Sequence, residues 1–377
     1  GAPKISSVAG RMFDSCRERS RDEAKVAVTS CWWQLGFTSV RKVFGPLLIL
    51  AIVGSLAFVQ RTVLVDIWNR LIELPRISLL PLLGAAIVMT LARGAFLAAC
   101  SPGVTLRQAV MTDQSALAAG YGIALGGGLV GTAMRIHMFT RWGIAHISIA
   151  SSIIATAVVP SFSTWGLPVV LLTIPVIRGT ATSPQALAVL VGVPIIAFSF
   201  VFWWMALRSA KLFLLVGRFS AWLRTFLLRK ISLRFIRARA IVERTKPLAF
   251  SAEMRVGLIE LLRKRWAIIF AASVGTLAAG FACLWTSAVV FEVQGLSLWE
   301  ALVAFSLVRV VIALSPIPGG TGLAELGLIA LLERAGVSTL DATGATLLYR
   351  SLTWFLPIVV GSLMWWRYSR SEQHLSD

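Results

Sequence analysis

The chain has 377 residues, of which 57% are hydrophobic and only 14% charged, and its mean hydropathy is +0.80. These values lie far outside the range of soluble domains and indicate a polytopic membrane protein. The net charge of +19 would suggest a nucleic-acid partner for a soluble protein, but here fifteen Lys and Arg face only three carboxylates within 208–265, a net charge of +12. We therefore expect no nucleic-acid partner and place this basic segment in the cytoplasm by the positive-inside rule.

Five segments follow one another along the chain. No secretory signal is visible in the first of them, a basic arm that is polar and mixed in charge. We expect the arm to be cytoplasmic and the chain to cross the inner (cytoplasmic) membrane of the cell several times. The segments are the arm 1–43, a first transmembrane half 44–207, the basic connector 208–265, a second transmembrane half 266–366 and a cytoplasmic tail 367–377.

Hydropathy predicts helices throughout both halves. Because about 20 helical residues cross a hydrocarbon core, we predict an all-α polytopic fold with about seven to nine helices. The long apolar runs are 44–60, 77–100, 185–207, 266–291, 297–314 and 351–366. Shorter or interrupted apolar stretches fill 109–125, 144–177 and 322–349.

Within the connector, residues 212–242 interleave Leu, Phe and Trp with Arg. This pattern is typical of an amphipathic helix that lies on an anionic lipid surface. A plain cytoplasmic loop that obeys the positive-inside rule would show the same excess of positive charge. Both interpretations place the connector outside the hydrocarbon core.

The second half contains a segment that a regular membrane helix should not contain, "LSPIPGGTGLAELGL" at 314–328. Proline lacks a backbone donor, and glycine loses the most backbone entropy in a helix. Irregular backbone is tolerated at membrane depth only where it is buried in protein or lines a wet cavity. We therefore predict a re-entrant site wall with Glu325 facing the cavity one turn beyond the break. The break consists of Pro316, Pro318, Gly319, Gly320 and Gly322.

A similar segment lies in the first half. "GGGLVGTAMRIHMFTRWGI" (126–144) and "GGTGLAELGLIALLERAGV" (319–337) each combine a Gly-rich break, a short helix and a glycine stop. Further along, the segments Trp165 to Pro168 and Trp354 to Pro357 match in the same order. We therefore predict two pseudo-repeated halves, arranged as an inverted repeat. Paired interruptions of this kind indicate the central site of a transporter.

These residues carry a family resemblance. "SPIPGGTGLAELGLIALLERAGV", followed by "LLYRSLTWFLPIVVG", resembles the PxPGGxGxxE signature and the downstream aromatic, proline-containing helix of one family. It is the transmembrane region of lysylphosphatidylglycerol synthase/flippase proteins and of related integral membrane proteins of bacteria and archaea. The first Gly-rich motif, with Arg135, is also similar, and the resemblance covers most of 44–366. It implies a membrane domain that moves a lipid between leaflets.

Two departures from the family pattern narrow what the resemblance implies. Many relatives carry Gly-Glu-x-x-Arg in the first motif, whereas Thr132 stands in the place of the acid in this chain. A mechanism that needs two acids is therefore disfavoured. Bifunctional members carry a soluble aminoacyl-transferase domain after the membrane region, whereas eleven residues follow Trp366 here. We therefore expect a stand-alone membrane domain that does not synthesise an aminoacylated lipid.

Charged side chains within the apolar runs mark candidate site residues, because each costs about 3 kcal/mol on membrane-insertion scales. The helical neighbours of Glu325 are apolar, so its partner must come from another segment, and Arg309 and Arg350 are the candidates. Such a pair either ties two broken helices together or opens around a substrate headgroup. The arginines in these runs are Arg93, Arg135, Arg309 and Arg350, and the acids are Asp113, Glu325 and Asp341.

Arg135 follows the first break and suits a phosphate. Free N–H groups at a helix start favour anions, and a guanidinium gives bidentate hydrogen bonds. The alternative is that Arg135 snorkels to the membrane surface as an ordinary positive-inside residue. Glycines would let the backbone approach a ligand closely; those of the two breaks are Gly127, Gly128, Gly319, Gly320 and Gly322.

Together, these features predict a flippase or transporter that moves an anionic or phosphate-bearing glycolipid or aminoacyl lipid between leaflets. The arginines would engage the headgroup phosphate, and Glu325 would act as their counter-ion. One alternative is a membrane-embedded enzyme or partner of polyprenyl-phosphate or glycolipid synthesis. Another is a protein whose connector docks a lipid-synthesis enzyme on anionic lipid. No catalytic, cofactor or metal motif is recognisable in the sequence, so we expect no enzymatic activity, no cofactor and no metal.

Overall fold

The structure is a computed structural model, and every regular element in its described residues is helical, which confirms the predicted all-α class. The described residues belong to one compact unit of the chain, 74–377. The predicted arm 1–43 and the apolar run 44–60 lie outside the described residues. Those described are 76–123, 127–180, 183–230, 252–315 and 318–376.

In the described residues, the predicted first half begins with four helices: α1 (Leu79–Cys100), α2 (Leu106–Gly122), α3 (Gly127–Arg141) and α4 (His146–Ile177). A reciprocal capping box fixes the start of α2, because Thr105 and Gln108 each accept the backbone N–H of the other with a side-chain oxygen. The break between α2 and α3 makes them a hairpin of two short helices. Gly143, two residues after the end of α3, has a positive φ of 73°.

After the connector, the same order of elements returns: α7 (Ala252–Val290), α8 (Leu298–Leu314), α9 (Leu323–Arg334), α10 (Thr339–Arg350) and α11 (Leu356–Ser376). α8 also begins with a reciprocal capping box, formed by Ser297 and Glu300. Gly336, two residues after the end of α9, has a φ of 90°. A π-helical segment, Ser351–Phe355, joins α10 and α11 into one rod. In the described residues, each half thus contains a long helix, a hairpin and a second long helix.

α5 (Ser183–Arg208) completes the predicted first half, and α6 (Ala210–Lys230) belongs to the connector. Near the start of α7, the Arg255 guanidinium donates to the Leu207 carbonyl at the end of α5 at 2.6 Å. We call this end of the bundle the connector side and the end where α7 passes into α8 the far side. The boundaries predicted after 265 and 366 fall inside α7 and α11, because the charged ends of both helices continue the same helical backbone.

α1 and α7 pack against each other in antiparallel orientation. Arg265 donates to the Ala98 carbonyl at 3.3 Å, and the thiol of Cys283 lies 3.6 Å from the Ala85 carbonyl oxygen. α1 therefore ends on the connector side, where α7 begins. It follows that the α2–α3 hairpin opens from the connector side and the α8–α9 hairpin from the far side.

Five helical rods in the described residues are long and apolar enough to cross a membrane, which confirms a multi-pass membrane protein. They are α1, α4, α5, α7 and the α10–α11 rod. The described residues of the runs 109–125 and 297–314 belong to arms of the two hairpins, in α2 and α8. The breaks at their ends turn the chain back to the side from which it started, and this makes both hairpins re-entrant.

Glycines let the two arms of the first hairpin pack backbone against backbone. A Cβ atom on Gly127 would lie 2.7 Å from the carbonyl oxygen of Ala119, and one on Gly131 would lie 2.5 Å from that of Ala116. Small residues four positions apart are the usual means by which membrane helices approach so closely. Gly128, by contrast, has open space around its Cβ position.

Each long C-terminal helix of one half packs on the hairpin of the other half. α11 lies against α2, where Gly361 leaves room for the Gln114 carbonyl, and α4 lies against α8. The hairpin tips also meet, because a Cβ atom on Gly319 would lie only 3.3 Å from the ring of Tyr121 at the end of α2. The two breaks therefore face each other inside the bundle.

The close packing of the first hairpin can be tested with two glycine variants of the same helix. Gly131→Ala is expected to destabilise the protein by about 1–3 kcal/mol, because the added methyl group overlaps the Ala116 carbonyl. Gly128→Ala is the matched control and should unfold at or slightly above the wild-type temperature, because Ala favours helix over Gly. Thermal unfolding of the purified protein in detergent measures both, and equal unfolding temperatures would contradict the packing described.

Candidate functional site

Three charged side chains of the first half meet between α1, α2 and α3. Arg93 Nε donates to Asp113 Oδ2 at 3.0 Å, and Arg135 Nη2 lies 4.0 Å from Asp113 Oδ1. The side chains of Asp113 and Arg135 are only 9% and 15% exposed. One carboxylate is thus shared by two arginines, which leaves this group with one net positive charge.

Arg135 also reaches α4, where its Nη1 donates to Thr156 Oγ1 at 2.7 Å. The Nε of Arg135 is buried and has no hydrogen-bond partner in the described residues. Its guanidinium therefore points into the bundle, which disfavours the alternative that it snorkels to the membrane surface. The Thr132 hydroxyl, one turn earlier, donates to the Gly128 carbonyl of its own helix at 2.8 Å.

Glu325 and Arg350 fasten the second hairpin. Arg350 Nε donates to Glu325 Oε1 at 2.7 Å, and Arg350 Nη2 donates to the Gly319 carbonyl at 2.8 Å. Glu325 Oε2 accepts the backbone N–H of Gly322 at 2.7 Å. The side chain of Arg350 is 8% exposed and that of Glu325 21%. Arg309 and Arg350 were the two expected partners of Glu325, and Arg350 is the one that forms the ion pair.

Backbone conformation explains the glycines of the second break. Gly319, Gly320 and Gly322 have φ values of 65°, 67° and 87°, in the left-handed region that residues with a Cβ disfavour. Gly319 packs beneath Trp354 and Gly320 against Ile312, so protein already occupies the space beside them. Gly322 is exposed and open. Of these three positions, Gly322 is the one where a ligand has room to approach the backbone.

Arg309 lies between the two halves. Its Nη2 donates to Thr164 Oγ1 on α4 at 3.0 Å, and its guanidinium carbon lies 5.6 Å from the centre of the Phe305 ring. Its Nε is buried without a hydrogen-bond partner, and no carboxylate in the described ranges forms an ion pair with it. Arg93 and the buried Tyr349 lie near Arg309.

The remaining predicted residues lie elsewhere. Asp341, counted among the intramembrane acids, is in the first turn of α10, where it accepts a hydrogen bond from the Ser338 hydroxyl at 2.8 Å. It belongs to a helix cap and not to the arginine cluster, by which we mean Arg93, Arg135, Arg309 and Arg350 with the carboxylates of Asp113 and Glu325. Pro318 begins a 3₁₀ turn beside the break, and Pro316 lies outside the described residues. Among the residues that the structure describes, no group of His, Cys, Asp or Glu could hold a metal ion.

Several side chains that the sequence patterns did not single out complete the site. Thr156 and Thr164 each accept a hydrogen bond from an arginine, but nothing distinguishes them from the other hydroxyl residues of α4 in the sequence. Tyr121 and Tyr349 could have been found, because the chain has only three tyrosines. Tyr121 lies at the end of the helix before the first break, and Tyr349 directly precedes Arg350.

The opposed hairpins and their buried arginines define a class of protein. It is an all-α, multi-pass membrane protein with a cationic centre between two inverted halves. Over residues 43–361, the sequence matches the family described as the lysylphosphatidylglycerol synthase TM region. The chain belongs to this family, as its motifs predicted, and membership gives it a function related to membrane lipids. No curated protein matches the chain.

A double-mutant cycle tests the role of the Glu325–Arg350 pair. Glu325→Ala and Arg350→Ala are each expected to destabilise the protein by about 3 kcal/mol, because each leaves a largely buried charge without its partner. The double variant should lose less stability than the sum of the two, with a coupling of about 1–3 kcal/mol. Unfolding in detergent measures all three variants.

The control for this cycle is the Glu260–Lys264 pair, whose side chains are 54% and 64% exposed. Surface pairs of this kind contribute little, so Glu260→Ala and Lys264→Ala should show no measurable coupling. A Glu325–Arg350 coupling as small as that of the control pair would contradict the conclusion that this contact holds the hairpin.

Proposed function

We propose that the protein moves an anionic, phosphate-bearing lipid between the two membrane leaflets, with the headgroup passing between the hairpins. The observation that carries the proposal is Arg309, a guanidinium between the two halves with no acidic partner in the described part of the chain. Membership of a family related to membrane lipids supports a lipid as the source of the missing anion.

The balance of charge supports an anionic ligand. Four arginines in the cluster exceed its two carboxylates by two positive charges, where an unpaired charge costs about 3 kcal/mol on insertion scales. A phosphate group neutralises such an excess and accepts two parallel hydrogen bonds from one guanidinium. The Nε atoms of Arg135 and Arg309, both buried without partners in the described ranges, are donors that phosphate oxygens would satisfy.

The existing contacts favour an order in which the headgroup engages these arginines. Asp113 lies 3.0 Å from Arg93 but 4.0 Å from Arg135, so Arg135 is held less tightly by the shared carboxylate. A phosphate from the connector side would bind Arg135 first and then Arg309, whose present partner is a neutral hydroxyl. The acyl chains would remain in lipid while the headgroup crosses along α4.

Glu325 has the role of a counter-ion in this proposal. While it binds Arg350, that arginine is neutralised and the second hairpin is fixed. A headgroup phosphate that arrives from Arg309 would compete with Glu325 for Arg350, and departure of the phosphate would restore the ion pair. The headgroup would thereby be released toward the far side without covalent chemistry, so we propose a transporter and not an enzyme.

We place the connector side in the cytoplasm and the protein in the inner (cytoplasmic) membrane. Support comes from the fifteen Lys and Arg against three Glu in 208–265. α6 follows directly on this side and exposes Phe219 and Trp222 by 61% and 59% beside Arg218. Exposed aromatic rings next to arginine suit a helix that lies on an anionic lipid surface.

The proposal can be tested in liposomes that contain a phospholipid with a fluorophore on its headgroup. Leaflet exchange is measured from the fraction of label that an impermeant quencher reaches over time. Arg309→Gln is expected to lower the exchange rate about tenfold or more, because a hydrogen bond from a charged donor to the phosphate is lost. Arg309→Lys should retain part of the rate, since it keeps the charge but loses the planar fork.

Arg107→Gln is the control, because Arg107 is exposed on the first turn of α2 and lies outside the cluster. It should exchange lipid at the wild-type rate. Equal rates for the wild type, Arg309→Gln and protein-free liposomes would refute lipid transport. Product formation from a lipid-linked donor would instead favour the enzyme alternative.

A further inference from the structure

A cavity of about 330 Å³ lies on the connector side, apart from the arginine cluster. Its walls are the loop after α1, the first turns of α4 and the charged first part of α7. Trp266, which is 66% exposed, begins the apolar part of α7 directly after Arg265. Because exposed Trp and basic residues mark the membrane–water interface, the cavity lies at the depth of lipid headgroups.

Ser151 gives this cavity a buried polar group in need of a partner. The residue lines the cavity and is 3% exposed, and its hydroxyl has no hydrogen-bond partner in the part of the chain that the structure describes. The neighbouring Ser152 differs, because its hydroxyl pairs with that of Ser101 at 2.6 Å. Since burying an unpaired hydroxyl is unfavourable, a ligand that accepts its hydrogen bond would be stabilised there.

Gly257 keeps the space in front of Ser151 open. A Cβ atom on Gly257 would lie 2.6 Å from Cγ2 of Ile147 and 3.2 Å from Oγ of Ser151. Any larger residue at this position would fill the cavity next to the hydroxyl. The cavity therefore depends on glycine at one position of α7 and can be closed by a single substitution.

The charged side chains that line the cavity sum to one positive charge, from Lys264 and Arg265 against Glu260. Lys264 Nζ donates to Glu260 at 2.7 Å, but both side chains are more than half exposed, so a ligand can displace this contact at little cost. Arg265 Nη1 donates to the Ala99 carbonyl at 3.1 Å, which holds its guanidinium at the cavity wall.

We propose that this cavity binds the phosphate group of an anionic lipid in the connector-side leaflet. The Ser151 hydroxyl donates to the phosphate from the buried end, and Arg265 and Lys264 donate from the rim. Charged donors and a hydroxyl together suit the several acceptor oxygens of a phosphate. This binding step can be measured without transport, and only its place in a transport cycle rests on the function proposed above.

α4 connects the cavity to the arginine cluster. Thr156, which accepts a hydrogen bond from Arg135, follows Ser151 by five residues. Five residues correspond to about 7.5 Å along a helix and to a rotation of about 140°, so Ser151 and Thr156 lie on different faces of α4. A phosphate that leaves the cavity would therefore move along α4 and around it to reach Arg135, with the cavity as the loading site of the cycle.

Isothermal titration of the purified full-length protein in detergent with dihexanoyl phosphatidic acid tests the site. Ser151→Ala is expected to weaken binding about tenfold, because a hydrogen bond to a charged oxygen is lost. Gly257→Val should weaken binding at least as much, because its side chain fills the cavity. Gly275→Val is the matched control on the same helix, where the Cβ position is open, and should bind as the wild type does.

Glu260→Gln tests the proposal with a variant that should bind the lipid more tightly than the wild type does. Removing this carboxylate frees Lys264 and raises the net charge of the cavity, so the phosphate lipid should bind about threefold more tightly. A purely structural effect of the substitution would not tighten binding. Weaker or unchanged binding by Glu260→Gln would count against the proposal.

Two further ligands identify the source of the phosphate. Dihexanoylglycerol, which lacks the phosphate, should not bind, and inorganic phosphate should bind more weakly than the lipid. Unchanged affinity in both Ser151→Ala and Gly257→Val would overturn the site, and inorganic phosphate binding as tightly as the lipid would overturn a lipid ligand. Lipid binding that Ser151→Ala weakens, in a protein whose liposomes exchange no lipid, would refute the transport proposal alone, so the two proposals can fail separately.

Discussion

The ion pair between Glu325 and Arg350 holds together the broken backbone of the second hairpin. The same two side chains also bind the Gly319 carbonyl and the Gly322 N–H. In hydrocarbon, a backbone group without a partner is so unfavourable that a break persists only where protein supplies substitutes. The turn that precedes α9, and with it the tip that meets Tyr121, therefore depends on this pair.

The first hairpin also contains a break between its two helices, but the position that corresponds to Glu325 carries no acid. Its arms are joined by the backbone contacts of Gly127 and Gly131, and the shared carboxylate of Asp113 holds it to α1. Thr132, at the position that corresponds to Glu325, donates its hydrogen bond within its own helix. The first hairpin is therefore held by close glycine packing and by Asp113, and the second by the Glu325–Arg350 pair.

The sequence predicted features that neighbouring residues determine better than features that depend on how distant segments pack. The prolines and glycines at 314–328 predicted the second hairpin, because backbone restrictions act within a few residues. Hydropathy could not separate α8 from a spanning helix, since an apolar run of 17 residues has the same composition whether it crosses or turns back. The contact of Arg309 with Thr164 joins residues 145 positions apart and depends on how the two halves pack, which periodicity does not encode.

Both hairpins return to the side from which they start, and this has a consequence for the order of assembly. The loops at 101–105 and 142–145 lie together on the connector side, and those at 291–297 and 335–338 lie together on the far side. The direction of every spanning helix is therefore the same whether or not the hairpins are in place. During biosynthesis, the chain can fix its orientation with its apolar helices alone and bury its arginines afterwards, once the second half is available to cover them.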